Sequence, residues 1–204
     1  MIAKSIALLA VAATALTSSP APLSFDMKDP KGVSGLSFSI DSNLEPIFGQ
    51  SSAIGGSISF DPANPEKSSG KIVVQSAGVE THSENLTSAM HQDWCLDVEK
   101  FPTIEFEVKK ISNVVKKDDG SFAADVNGDF TFHGVTKNLN IKATATHLPD
   151  KLKDRGGVPG KKGDLLIIRS NFSFNRKDFN VAPDLALIGD TVDVKLATVG
   201  YTIK

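Results

Sequence analysis

The chain has 204 residues, 40% of them hydrophobic and 23% charged, with a formal net charge of −2. That balance belongs to a globular rather than a disordered chain, and the length fits one domain with a leader, with no need for a second core. A charge so near zero also supplies no global basic field for nucleic acid or an anionic bilayer.

The first element in chain order is an export signal over residues 1–21. Lys4 precedes a short apolar run from Ile6 to Leu16, and small residues follow, with Ala13-Thr14-Ala15 and Ser19-Pro20-Ala21 as candidate cleavage sites. The run is shorter than the roughly 20 residues a membrane-spanning helix needs, and no Cys follows it to take a lipid anchor. Residues 22–204 then form one mature domain, periplasmic or secreted. Its lone cysteine, Cys95, permits no intrachain disulfide, and between Trp94 and Leu96 it reads as a small buried apolar residue rather than a reactive thiol.

Period-2 alternation dominates the mature chain. It predicts about eight strands, at residues 35–41, 54–61, 70–76, 103–111, 122–132, 138–147, 165–175 and 190–201. The clearest is Ile104-Glu105-Phe106-Glu107-Val108-Lys109, apolar at every second position. Turn chemistry separates the runs: Asp61-Pro62-Ala63-Asn64-Pro65, Lys117-Asp118-Asp119-Gly120, and the tight His133-Gly134 link, after which Thr136 and Lys137 start a strand. One segment departs from the pattern. Thr81-His82-Ser83-Glu84 matches a capping box, and Leu86, Met90, Trp94 and Val98 follow at four-residue spacing, which predicts helix over 83–99.

Strands of this kind have one dry and one wet face, and about eight of them cover the dry face by closing into an antiparallel barrel or folding into a sandwich. A barrel of that size is either filled by side chains or holds one small ligand. Twelve of the aromatic residues are Phe, with one Tyr and one Trp. The inward phase, Phe38, Ile40, Phe60, Ile104, Phe106, Val108, Phe130, Phe132, Ile141, Phe172, Phe174 and Val194, contains no hydroxyl, amide or charge. Such a wall offers burial at roughly 25 cal/mol per Å² and no directional bonds, which suits a hydrocarbon chain. A solid Phe core satisfies the same pattern, and alternation alone does not choose between them.

Three stretches resemble the YceI-like family of lipocalin-like, polyisoprenoid-binding proteins. Residues 90–106 run through Lys-Phe-Pro-Thr-Ile-Glu-Phe, similar to the family's Lys-aromatic-Pro-x-Ile-x-Phe entry into a strand. Residues 128–137, Gly-Asp-Phe-Thr-Phe-His-Gly-Val-Thr-Lys, are similar to its Gly-x-Leu-Thr-x-x-Gly-Val-Thr-Lys hairpin. Residues 173–181 contain Asn-Arg-Lys-Asp-Phe-Asn, similar to its Asn-Arg-x-Asp-Phe-Gly strand end. Order and spacing agree from about Lys28 to Lys204. Asn180 stands where the family commonly has Gly, a substitution that Asn tolerates because it adopts left-handed backbone angles readily. Residues 41–54 lack the His-containing pattern many members carry there. The resemblance implies an all-β, eight-stranded, lipocalin-like barrel, an exported location and an isoprenoid or similar amphiphile bound inside. It also implies pairing as a homodimer, although no dimer seam is legible.

No enzyme, cofactor or metal is expected. His82, His91, His133 and His147 are scattered without ligand spacing, and neither a Gly-x-Ser-x-Gly elbow nor a Gly-rich phosphate loop occurs. An enzyme acting on a lipid and a filled, partner-binding barrel remain the alternatives. Arg176 and Asp178 read as a local ion pair at a strand end. Lys151, Lys153, Arg155, Lys161 and Lys162, with Gly156, Gly157 and Gly160, read as a solvated flexible loop, the alternative being a basic lid.

Overall fold

Alternating segments become strands because each can bury one side-chain row and solvate the other. The computed structural model describes residues 21–204, so all of the expected leader except Ala21 lies outside the described residues. Its strands are β1 Leu23–Asp26, β2 Gly35–Ile40, β3 Ile47–Ser51, β4 Ile54–Phe60, β5 Ser69–Gln75, β6 Glu80–Thr81, β7 Thr103–Lys116, β8 Phe122–Phe132, β9 Val135–Leu148, β10 Leu165–Asn175 and β11 Thr191–Tyr201. Every pairing is antiparallel, in the order β1-β4-β5-β7-β8-β9-β10-β11-β2-β3-β6, and β1 returns to β11 to close the sheet.

Two strands are each split in half. Along β11, Asp26 faces Tyr201 and Gly35 faces Ala197, so β1 and β2 share one edge. β3 and β4 follow them on the other side, with Ser51 opposite Leu36 and Ser57 opposite Asp26. Counting each split strand once, with the two-residue β6 taken as the continuation of β5 along β3, gives an eight-stranded closed barrel. The first split is held by Asp29. Its carboxylate accepts the backbone N–H groups of Lys31, Val33 and Ser34, and the Ser34 hydroxyl accepts the Val199 N–H that the ladder leaves free. β1, β3 and β6 were absent from the sequence expectations. They are two to five residues long, too short to show a period.

β7 runs to Lys116, five residues beyond the expected end. Its register against β8 shifts between Val108 and Lys110 and again between Ser112 and Val115. Each bulge inserts a residue, so the inward side chains run Ile104, Phe106, Val108, then Ile111 and Val114. The even-numbered phase is broken twice, which hid the strand's second half. β9 starts at Val135 because the hairpin needs only His133 and Gly134, at φ of 49° and 73°. A Cβ on Gly134 would lie 2.4 Å from the Phe101 ring, so both angle and space demand glycine.

The helix is shorter than its apolar spacing predicts. α1 covers Glu84–Met90, capped by Ser83, whose hydroxyl accepts the Leu86 N–H at 3.3 Å. Thr81, the expected cap, instead donates to the Ser83 carbonyl, and its own N–H goes to the Thr87 hydroxyl. Beyond Met90 the chain turns: the Leu96 N–H reaches back to the Met90 carbonyl and Asp97 takes φ of 45°. This brings Met90, Cys95 and Leu96 into the core together and leaves Trp94 part-exposed at the edge of the cavity. A continuous helix cannot turn the adjacent residues 95 and 96 and residue 90 onto one face with 94 left at the edge. No helix among the described residues is long and apolar enough to cross a membrane.

The topology assigns the connections to two ends. One end carries the turns at 61–68 and 117–121 and the loop 149–164. The other carries the loop 41–46, the insert 76–102, the turn 133–134 and the loop 176–190. A buried cluster sits towards each: Phe25, Met27, Ile58, Phe60 and Leu166 towards the first, and a group including Met90, Cys95, Leu96, Phe130, Phe132, Phe179 and Val181 towards the second.

Candidate functional site

A cavity of about 270 Å³ lies inside the barrel, bounded by members of both clusters. All twelve inward residues named from the alternation line it. They differ in how fully they are covered. Phe60, Phe130 and Phe132 are buried, whereas Phe38, Ile40, Ile104, Phe106, Val108, Ile141, Phe172, Phe174 and Val194 are only half-buried. An inward side chain of a closed barrel keeps accessible surface only where nothing fills the space before it. The wall is therefore dry in composition and unfilled.

The aromatic rings do not meet along the whole axis. Phe130, Phe132, Phe172, Phe174 and Phe179 gather on one side with ring centroids 5.1–6.4 Å apart, in edge-to-face, tilted and stacked pairs. Across β8, Gly128 takes an inward position where a Cβ would stand 2.5 Å from the Phe106 ring. Its bare backbone lets Phe106 lie against the wall instead of across the lumen.

Few polar groups border the space, and most of their side chains are engaged. Ser170 donates to the Lys142 carbonyl at 2.8 Å, and Ser68 accepts the Asp61 N–H. Glu105 turns outward to Lys71 at 2.9 Å and to Thr103. The Lys71 bond, with the Thr103 hydroxyl, holds its carboxyl below the ordinary value despite partial burial. Cys95 lies buried on the wall, where burial pushes its thiol up to about 11 against a smaller opposing effect of the Arg176 charge. It is the small apolar residue its neighbours implied.

Arg176 departs most from expectation. It makes no pair with Asp178, which approaches Lys137 at 3.7 Å instead. The Arg176 guanidinium is buried, its side chain 3% exposed. It donates from Nε to the Gly189 carbonyl at 2.9 Å, from Nη1 to those of Val181 and Ala182, and from Nη2 to Leu185 at 2.7 Å, Ile188 at 2.9 Å and the Asp190 carboxylate at 3.2 Å. One cation thus gathers the loop 181–190 over the barrel end, where Val181, Ala182, Leu185 and Ile188 become cavity wall. The sequence signal was available: a Leu- and Ala-rich stretch outside any strand, with only Asp184 and Asp190 as charges, needs something to hold its backbone. Asn180 closes the preceding turn in the left-handed region at φ of 58°, as its replacement of glycine required.

The basic loop is anchored in its first half and solvated in the rest. Leu152 in α2, Leu152–Arg155, is fully buried, and Arg155 binds Asp29 at 2.7 Å. Lys151 pairs with Asp154. Lys153, Lys161 and Lys162 are exposed. Beside it, Asp164 accepts from His147 at 3.0 Å, from Lys204 at 2.6 Å and from the Asp150 N–H, so this end of the barrel is tied shut by charged and hydrogen-bonded contacts. The other histidines serve locally. His91 bonds the Val79 carbonyl and His133 that of Phe179, while His82 is exposed. Among the described residues no three His, Cys, Asp or Glu side chains converge to hold a metal ion.

A closed antiparallel barrel with an unfilled hydrocarbon-like lumen belongs to the lipocalin-like class of folds. The model of the YceI-like domain matches residues 28–199, and the chain belongs to that family. A UPF0312 protein of Pseudomonas fluorescens is 34% identical over 160 residues, 78% of this chain and 76% of that one. A UPF0312 protein of Yersinia pestis is 28% identical over 158 residues, 78% and 75% of the two chains. Among solved structures, Burkholderia cenocepacia BcnA superposes with a TM-score of 0.63 at 18% identity, covering 81% of this chain and 95% of its own. A polyisoprenoid binding domain from Saccharophagus degradans, implicated in plant cell wall breakdown, gives 0.63 at 12% identity over 90% and 99%. At these identities the likeness is one of fold.

Proposed function

We propose that this protein is a non-catalytic carrier of a long apolar lipid, an isoprenoid or similar amphiphile, in the periplasm or outside the cell. One observation carries the reading: nine apolar inward side chains remain half-buried inside a closed barrel. That is the surface an apolar chain would cover on binding, at roughly 25 cal/mol per Å². The volume stands near the lower edge of ligand sites, roughly 300–1,000 Å³, which suits a slender chain. The polyisoprenoid-binding neighbour supports the ligand class, and the leader-like start of the sequence supports export. The carrier reading, as against an enzyme, rests on the wall's chemistry. Arg176 spends its donors on backbone carbonyls and Glu105 points away, so neither is free to move a proton for a bound lipid.

Organic extraction of protein purified without detergent, followed by mass spectrometry, tests the proposal. A prenyl or acyl chain recovered in near-stoichiometric amount is the expected result. Compact protein that is repeatedly ligand-free and takes up no C15 prenyl alcohol from ethanol would refute it.

A further inference from the structure

We infer that the barrel end formed by loops 41–46 and 181–190 docks on the surface of an uncharged, zwitterionic lipid bilayer, so that a lipid chain passes between membrane and cavity without crossing water. The inference rests on the carrier reading and adds to it a partner and a port.

Exposed large apolar side chains concentrate at this end: Leu44 at 63%, Trp94 at 45%, Leu185 at 37% and Leu187 at 67%. The loops that carry the leucines touch, since a Cβ on Gly189 would fall against the Asp41 carbonyl. Trp94 and Leu185 also line the cavity, together with Ile40, Ile47 and Ile188. Apolar surface is therefore continuous from solvent into the lumen. At the opposite end the Arg155–Asp29 and Asp164 contacts fasten loops across the barrel.

Size and charge select the occupant. Four partly exposed side chains make a patch of a few hundred Å², well short of the roughly 800 Å² per partner of a stable protein interface. Such a patch suits shallow, reversible insertion of side chains into a bilayer interface. The two loops carry Asp41, Glu45 and Asp184 and no Lys or Arg, and Asp190 is already matched by Arg176 and Lys177, so the remaining loop charge is acidic and an anionic surface would repel it. A hydrocarbon ligand is itself stored in membranes, so the port and the source of cargo coincide.

Trp94 is the only tryptophan in the chain and stands on the rim, so it reports contact directly. The experiment adds phosphatidylcholine vesicles whose acyl chains are brominated and follows Trp94 emission. Wild type should be quenched and blue-shifted. Leu44→Asp with Leu187→Asp, both at exposed positions, should weaken vesicle partitioning about tenfold or more while uptake of a C15 prenyl alcohol from ethanol stays unchanged. Ala143→Phe, which places a ring in the cavity, should keep the quenching, because docking precedes cargo entry. No quenching of wild type that still takes up the prenyl alcohol would overturn the docking inference and leave the carrier reading standing. Quenching lost in Ala143→Phe would also overturn it, placing the acyl chain in the cavity rather than the rim in the membrane. A lipid-free dimer that the double aspartate variant dissolves would assign the rim to a second copy. Failure of prenyl alcohol uptake itself strikes the carrier reading instead.

Discussion

Replacing Arg176 by Ala should loosen the loop 181–190 and cost a large share of the protein's stability. The guanidinium bonds five backbone carbonyls and the Asp190 carboxylate, almost wholly out of solvent. A hydrogen bond to a charged group contributes roughly 1.5–3 kcal/mol, but these are not additive, because a released loop rehydrates several carbonyls. Removing one partner of a buried charged network costs about 3–5 kcal/mol, and a domain of this size loses roughly 2–4 °C of Tm per kcal/mol. The variant should therefore melt about 6–20 °C lower by calorimetry. Amide protons of residues 181–190 should lose protection beyond the global change. Arg176→Lys should recover less than half of the loss, since an ammonium has three donors in a compact head. Asp190→Asn should cost less than about 1 kcal/mol, because that carboxylate is part-exposed and only one of six acceptors. A Tm within 2 °C or so of wild type, with protection of 181–190 intact, would refute the view that this cation organises the barrel end.

Three further outcomes follow from the same geometry. Ala143→Phe should cut co-purifying lipid about tenfold with the fold retained, since a ring at that half-buried inward position occupies the space a chain needs; full lipid load in the variant would show that the cavity is not the binding place. Cys95 should resist maleimide at pH 8 in the native state and react after unfolding; its folded pKa is raised to about 11, so the unfolded chain ionises first and stability falls as pH climbs from about 9 to 11. Fast native labelling would contradict this. For Asp29, burial acts to raise the pKa, but Arg155 and the backbone N–H groups of Lys31 and Ser34 outweigh it and hold the carboxyl well below the usual carboxylate range. Its stabilisation is present above the unfolded value near 3.9 and is lost as pH falls below it. Asp29→Asn should cost roughly 3 kcal/mol at pH 7 and reduce the steepness of acid unfolding; an unchanged acid limb in urea titrations would argue against the latch.

Regular strands were legible because their physics is local. Strand limits at 122–132 and 165–175 coincide with β8 and β10, and the twelve inward residues follow from side-chain direction alone. What alternation does not encode is what happens when it is interrupted. The bulges of β7 hid Ile111 and Val114, and the turned segment after Met90 replaced a helical stripe with a different buried set. Arg176 was misassigned for a related reason. Its nearest acid in sequence was two residues away, whereas its acceptors lie five to fourteen residues downstream, in a loop whose path only the folded backbone reveals. The split of the first strand depends on Asp29 collecting amides from its own loop, a contact that leaves no periodic trace.

The two offsets in β7 behave like a pair of frame shifts in a message read two letters at a time. Between them the strand is read in the opposite frame, which is what sets Ile111 on the lumen side of the wall opposite Val126. Straightening the first offset without removing a residue would present Lys110 to the cargo and Ile111 to water. A lost bulge is therefore tolerated only when its extra residue goes with it, a restriction imposed by the greasy channel on a segment that carries no chemistry of its own.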